Sequence, residues 1–230
     1  MTGDRPRALI TGASRGIGAA IAHALGATHD LILGGRDRRA LVDLVNTLPS
    51  ASPWPLELTD LDAMATAAAE IDRLDVLVHS AGVWEPGLIG ETQPETWRRV
   101  FDVNVFAVAE LTRLLLPALR TARGRVVLIN STAGKRVSPA RGVYAASKFA
   151  LRAFAEALHA EEVGNGIGVT SIYPGRVATD MQRKVRRAEN GPFERDDYIA
   201  PESVAHAVLA AVRAPADSHL TEVVVSRSAT

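Results

Sequence analysis

The apolar run Ala8-Leu9-Ile10 is followed at once by Thr11-Gly12-Ala13-Ser14-Arg15-Gly16-Ile17-Gly18, and that segment leads into the alanine-rich stretch Ala19 to Leu25. A strand, a glycine turn and a helix in that order confine the chain to an α/β fold with a phosphate site at its first strand–helix junction. Glycine takes positive φ without a steric cost and lets a phosphate approach the main chain. The unpaired N–H groups and the dipole of the first helical turn attract its charge. The spacing is Gly-x-x-x-Gly-x-Gly and not the general Gly-x-Gly-x-x-Gly, but the mechanics are the same.

The rest of the chain repeats the alternation. Apolar runs bounded by Gly, Pro or Asp predict strands at 7–11, 30–34, 53–58, 74–79, 124–130, 166–173 and 221–225, with helices between them. Leu74-Asp75-Val76-Leu77-Val78 and Arg125-Val126-Val127-Leu128-Ile129 suit central strands covered on both faces. Right-handed crossovers then place helices on both sides of a Rossmann-like, doubly wound, mainly parallel seven-stranded sheet, with residues 1–230 as a single domain. In such sheets ligands bind at the carboxyl ends of the strands, where the glycine turn, Ser80, Ser131 and Pro174 all fall.

Composition removes several function classes. Lys plus Arg and Asp plus Glu both total 26, so no net charge draws the chain to nucleic acid. With no cysteine there is no disulfide, thiolate metal site or cysteine nucleophile, and the six histidines lack metal-ligand spacing, so no metal is expected. The apolar runs are too short to span a membrane, and the Arg5-Pro6-Arg7 start offers no signal-peptide core; a cytoplasmic location is expected.

Tyr144 is followed four positions later by Lys148, and Ser131 lies thirteen residues upstream at the end of an apolar strand. A free phenol, with a pKa of about 10, is a poor acid or base at neutral pH. Residues four apart share a helix face, and an ammonium ~5 Å from the phenol oxygen is worth roughly 3 kcal/mol in favour of the phenolate at an effective dielectric near 20. Lys148 is therefore expected to lower the Tyr144 pKa. Taken alone, such a pair is an ordinary feature of helix surfaces.

The context makes it specific. The chain resembles the short-chain dehydrogenase/reductase family over nearly its full length: Gly12, Gly16 and Gly18 match its glycine motif, His79-Ser80-Ala81-Gly82 its Asn-Asn-Ala-Gly, and Asn104 its helix asparagine. Ser131 matches the family's serine, Tyr144 and Lys148 its Tyr-x-x-x-Lys, and Pro174-Gly175 with Thr179 its Pro-Gly segment. The resemblance implies an NAD(P)-dependent oxidoreductase with a catalytic Asn104-Ser131-Tyr144-Lys148 tetrad acting on a carbonyl or alcohol. It further implies cofactor contacts from Ser14, Ile17, Leu58, Ser80, Ala81, Gly82 and Val177, besides the glycines, the Pro-Gly segment, Thr179 and the tetrad residues Asn104, Tyr144 and Lys148. Glu57 stands where the family usually has an aspartate near the adenine, and His79-Ser80 replaces its asparagine pair. His79 reads as a packed or hydrogen-bonded histidine, with a titrating role as the alternative.

Charge argues for the cofactor. A site selective for NAD carries a carboxylate after the second strand to hold the ribose 2′-OH, but here the strand ends Leu33-Gly34-Gly35-Arg36. Arg36 and Arg15 suit a 2′-phosphate, so NADP(H) is expected over NAD(H), with Asp37 as the opposing feature. Residues 179–197 correspond to the family's substrate lid, in which Met181 and Val185 form one apolar face and Arg183, Lys184, Arg186 and Arg187 form either an acid-recognising or a solvated basic face. By resemblance, helices near 103–121 and 143–163 pair with their mates in a homodimer or homotetramer. An idle NADPH-binding sensor on the same fold is the alternative function.

Overall fold

Val76-Leu77-Val78-His79 is buried from end to end, as a strand covered on both faces must be. It is the middle member of one parallel sheet in the computed structural model, which describes residues 5–215 and 217–228. The strands are β1 (Arg7–Ile10), β2 (Asp30–Gly35), β3 (Ala51–Pro55), β4 (Val76–His79), β5 (Arg125–Ile129), β6 (Gly168–Pro174) and β7 (Glu222–Val225), in the order β3-β2-β1-β4-β5-β6-β7. The order reverses direction between β1 and β4, which opens a crevice at the carboxyl ends of those two strands.

The helices are α1 (Gly16–Gly26), α2 (Arg38–Val45), α3 (Leu61–Ala68), α4 (Pro94–Phe101), α5 (Ala107–Ala122), α6 (Gly142–Glu162), α7 (Asp180–Ala188) and α8 (Pro201–Val212). Because strand side chains alternate, neighbours such as Leu9 and Ile10 or Leu77 and Val78 feed opposite faces. One face packs Ile21 and Leu25 of α1 and Val204 and Val208 of α8 on Ile10 and Val78; the other packs Leu111 and Leu115 of α5 and Leu151 of α6 on Leu9 and Leu77. Each fully buried leucine contributes about 2 kcal/mol. The fold is thus the expected doubly wound Rossmann-like sheet in a single domain.

Two differences from the sequence expectation bear on the site. The third strand, expected at 53–58, is Ala51–Pro55, which puts Glu57 and Leu58 in the turn beyond it. Its two prolines are accommodated because β3 is an edge strand that pairs only with β2. The helix expected at 103–121 is not continuous: α4 runs through a π-helical turn, Asp102–Phe106, before α5 begins. That wider turn carries Asn104, and such turns often mark functional positions. Among the described residues no helix is long and apolar enough to cross a membrane.

Candidate active site

The glycine turn is tighter than its sequence discloses. Gly12 has φ +65°, and a Cβ there would sit 2.7 Å from Ala81 Cα; a Cβ on Gly18 would sit 2.2 Å from the Gly12 carbonyl oxygen. Gly16 has φ +58°, and a Cβ there would press on the Thr179 methyl at 3.2 Å. Thr11 holds this turn to the end of β4, its Oγ1 accepting hydrogen bonds from the N–H groups of Ser80 (3.1 Å) and Ala81 (3.2 Å). Ser14 is half-buried in the turn and Arg15 exposed beside it.

Ser131 lies two residues beyond β5 and caps a short 3₁₀ turn, its Oγ accepting from Ala133 N–H at 3.1 Å. It shares the cavity wall with the Tyr144 hydroxyl, on the first turn of α6, and is near enough to favour the phenolate. One helical turn on, the Lys148 ammonium is buried and donates to the Ile129 carbonyl at 2.9 Å. Asn104 comes from the other side: its amide brackets Val83, accepting from that N–H at 2.8 Å and donating to that carbonyl at 2.9 Å, and it donates to Ser147 Oγ at 3.0 Å. A Cβ on Gly82 would lie 3.4 Å from Asn104 Oδ1 and 3.9 Å from Lys148 Nζ, so Gly82 marks the place where the two converge.

The electrostatics correct one expectation. Lys148 Nζ is 5.8 Å from the centre of the Tyr144 ring, yet the Tyr144 pKa is raised, not lowered. Burial drives it up, and Ser131 and the charge of Arg141 offset only part of that. Lys148 does not offset this, because burial lowers its own pKa to about 8 and the ammonium has lost its proton before a phenol with a raised pKa titrates. The surface dielectric assumed from sequence ignored this desolvation.

A pH dependence of stability follows. The folded Lys148 pKa lies below its ordinary 10.5, so between about 8 and 10.5 the unfolded chain holds the extra proton. This contribution to stability is full above 10.5, is lost as the pH falls toward 8, and stays lost below that. Denaturant unfolding of wild type and Lys148→Met across this window should show a difference that grows with pH, up to about 3 kcal/mol. A constant difference would contradict the buried ammonium.

His79 is buried, and burial drops its pKa to about 3, so it is a neutral packed side chain. Its Nε2 lies 2.9 Å from Thr112 Oγ1. Because that hydroxyl donates to Val108 O at 2.7 Å, the ring N–H is assigned as the donor to it. The neighbouring Ser80 Oγ, directly after β4, is buried without a hydrogen-bond partner.

The remaining cofactor candidates divide by location. Ile17, Pro174, Gly175, Val177 and Thr179 line a cavity of about 570 Å³ together with Ser131 and Tyr144. Arg36, Glu57 and Leu58 follow β2 and β3 at the other end of the crevice, with Arg36 Nη1 3.4 Å from Glu57 Oε2. Arg15 Nε lies 3.6 Å from Asp180 Oδ2, and both arginine side chains are more than two-thirds exposed, at 70% and 71%. Asp37 caps α2 by accepting from Ala40 N–H at 3.0 Å, which occupies the carboxylate that opposed the charge argument. The cradle at Gly12 and Gly18, the orphaned Ser80 hydroxyl and two exposed arginines fit a dinucleotide.

Met181 and Val185 both line the cavity, as their spacing predicts. The basic residues of α7 do not enter it: Arg183 lies over the Phe193 ring at 4.1 Å, and Arg186 pairs with Glu189 at 2.7 Å. Sequence reasoning missed Asn130, whose amide accepts from Ser131 N–H (2.9 Å) and donates to the Lys148 carbonyl (3.2 Å), fixing serine and helix together. Its place directly before Ser131 was the available signal. Arg141 and Arg176, also in the cavity wall, were missed.

Comparison with known proteins agrees with this geometry. The family model described as short chain dehydrogenase matches residues 6–190. The chain is 35% identical to glycine betaine reductase ATRR of Emericella nidulans over 95% of its own length, but spans only 18% of that protein. It is 37% identical to dehydrogenase/reductase SDR family member 7B of Bos taurus, covering 89% of this chain and 69% of the other. Among solved structures, an actinorhodin polyketide ketoreductase with NADPH superposes at TM-score 0.88 with 27% identity, each chain covered to 96%. A 3-oxoacyl-[acyl-carrier protein] reductase of Brucella melitensis in complex with NAD superposes at 0.85 with 27% identity, covering 96% of this chain and 95% of that one. Matched by that family model over most of its length, and 37% identical to a relative of which it spans more than two thirds, the chain belongs to the short-chain dehydrogenase/reductase family of oxidoreductases.

Proposed function

We propose that the protein is an NADP(H)-dependent oxidoreductase that interconverts a carbonyl and an alcohol, with Tyr144 as the general acid and base. The observation that carries this reading is that Ser131 and Tyr144 line one wall of a single cavity, with Lys148 buried one helical turn behind the tyrosine. A bound nicotinamide would supply or accept the hydride. The protein's part is placement and proton transfer. In reduction Ser131 donates a hydrogen bond to the carbonyl oxygen and the Tyr144 hydroxyl passes its proton to the developing alkoxide. Its raised pKa keeps the phenol protonated for that step. Gly12, Gly16 and Gly18 receive the pyrophosphate, Lys148 the ribose hydroxyls, and Pro174, Gly175, Val177 and Thr179 border the nicotinamide end. Residues 179–197 form the substrate lid. Screening NADPH oxidation against ketones, aldehydes, quinones and acyl-thioester models tests the reading; no turnover with any class would sink it.

Arg15 and Arg36 support NADP(H). Each is exposed and held only by a surface ion pair, of the kind worth about 0–1 kcal/mol, which a 2′-phosphate can outcompete. NADPH should bind at least about tenfold more tightly than NADH, as one well-placed arginine–phosphate contact supplies. Cofactor fluorescence titration decides it; equal affinities, or an NADH preference in Arg36→Ala and wild type alike, would reverse the assignment.

A homodimer or homotetramer is also proposed, supported by the exposed aromatic rings of Phe106 and Phe149 on the helical face formed by the π-helical turn and α6. Light scattering that returned a monomer at micromolar concentration would contradict it.

A further inference from the structure

The cavity wall is electrically one-sided. Lys135, Arg136, Arg141 and Arg176 line it, and among the described residues no Asp or Glu does. Lys135 is already matched, 2.7 Å from Glu222 and lying over the Tyr173 ring at 4.2 Å. Arg141 and Arg176 are held differently. Both donate to a single oxygen, Oε1 of Glu189, Arg141 at 2.5 Å, while Arg186 takes the other oxygen at 2.7 Å. Three guanidinium groups around one carboxylate leave a surplus of positive charge at the cavity rim.

Glu189 is an unusual partner. It caps the C-terminus of α7, where the helix dipole disfavours a negative charge. Burial would also raise its pKa, but the hydrogen bonds from Arg186, Arg176 and Arg141 outweigh this and leave it lowered, so it is ionised at neutral pH. The two cavity arginines come from separate elements. Arg141 directly precedes α6, three residues before Tyr144, and Arg176 follows Pro174-Gly175 at the end of β6. Arg141 and Tyr144 line the same cavity, so an anion held by Arg141 shares that cavity with the proton donor. Two guanidinium groups converging on one carboxylate oxygen form a site already shaped for a carboxylate.

We propose that the carbonyl substrate is an oxo acid, whose carboxylate Arg141 and Arg176 bind in exchange for the Glu189 side chain. The inference rests on the oxidoreductase reading and adds the substrate class. Glu189 then holds α7 against the cavity arginines until an acid replaces it, and its release frees the end of the lid. The basic residues Arg183 and Arg186, which the sequence offered for acid recognition, have other partners. Recognition falls to the arginines outside α7.

The test compares α-oxo and γ-oxo carboxylates of graded chain length with their methyl esters, on the NADPH complex of the full chain. Binding is read by fluorescence of Trp84, which lines the cavity, and turnover by NADPH oxidation. The preferred acid should exceed its ester at least about tenfold in affinity and in kcat/KM, the scale of a charge-assisted hydrogen bond. Arg176→Gln should collapse that acid-to-ester ratio, and Glu189→Gln should raise it. Arg176→Lys, which keeps the charge but not the fork, should restore part of it. Esters bound and reduced as well as acids, a phosphorylated ketone preferred to every acid, or no acid binding at all would each overturn the inference. A purely structural latch would leave the ratio unmoved in Glu189→Gln, which also overturns it. Acids that bind through Arg176 but are never reduced would instead retain the carboxylate site and remove the oxidoreductase reading.

Discussion

Tyr144→Phe should lower turnover by about 10²-fold or more while cofactor affinity stays within about twofold, because only the hydroxyl that moves the proton is lost. The ring remains, and the packing of α6 on the sheet does not depend on the phenol oxygen. The half-buried Tyr144 keeps its proton more firmly than a free phenol, despite the opposing influence of Ser131 and the Arg141 charge. A protonated donor suits reduction, whereas alcohol oxidation needs the phenolate and should improve as pH rises. The variant requires a substrate from the carbonyl panel, with kcat measured at saturation alongside NADPH affinity by fluorescence. If Tyr144→Phe folds normally and retains most of the wild-type rate, the phenol is not the acid, and an alternative site for the proton donor, with the tetrad idle, would take its place.

What could be read in the sequence was whatever depends on local pattern. Ala8-Leu9-Ile10 followed by Gly12, Gly16 and Gly18 specifies a strand, a turn and a helix within a few residues, and the structure places all three there. Met181 and Val185 face the cavity because helical spacing alone puts them on one side. Long-range effects were not legible. The Tyr144–Lys148 spacing gives proximity but not dielectric, and burial of both groups reverses the expected direction of the tyrosine shift. Asn130, Arg141 and Arg176 lie far apart in the chain, and only the parallel order of β5 and β6 with α6 across them brings them to one cavity. The π-helical turn at Asp102–Phe106 escaped because five residues are too few to show a period distinct from that of an α-helix. His79-Ser80 reads as a departure from the family pair, and the structure separates its halves: the histidine turns inward to Thr112, and the serine is left with a buried, unpaired hydroxyl.

Gly18→Ala should abolish measurable NADPH binding, a loss of about 10²-fold or more, with a smaller loss of stability. A Cβ there would lie 2.2 Å from the Gly12 carbonyl oxygen, and the obstacle is main chain, not the flexible end of a side chain. Relief requires the start of α1 to move away from the glycine turn. Overpacking of this kind costs typically about 1–3 kcal/mol, which a domain of this size survives. The same movement spoils the phosphate cradle, since the N–H groups at the helix start must aim at one point to bind an anion. Gly164→Ala is the control: nothing lies within 4 Å of its added methyl, so stability and cofactor affinity should both stay near wild type. The measurement is paired, with thermal unfolding and NADPH fluorescence titration of the two variants. Gly18→Ala unfolding altogether would leave affinity unread, and Gly16→Ala then serves in its place, because its Cβ meets only the Thr179 methyl, at 3.2 Å, and its φ of +58° adds local strain. If a folded Gly18→Ala or Gly16→Ala bound NADPH as wild type does, the glycine turn would not be the phosphate site, and the buried Ser80 hydroxyl at the end of β4 would lose the partner that explains it.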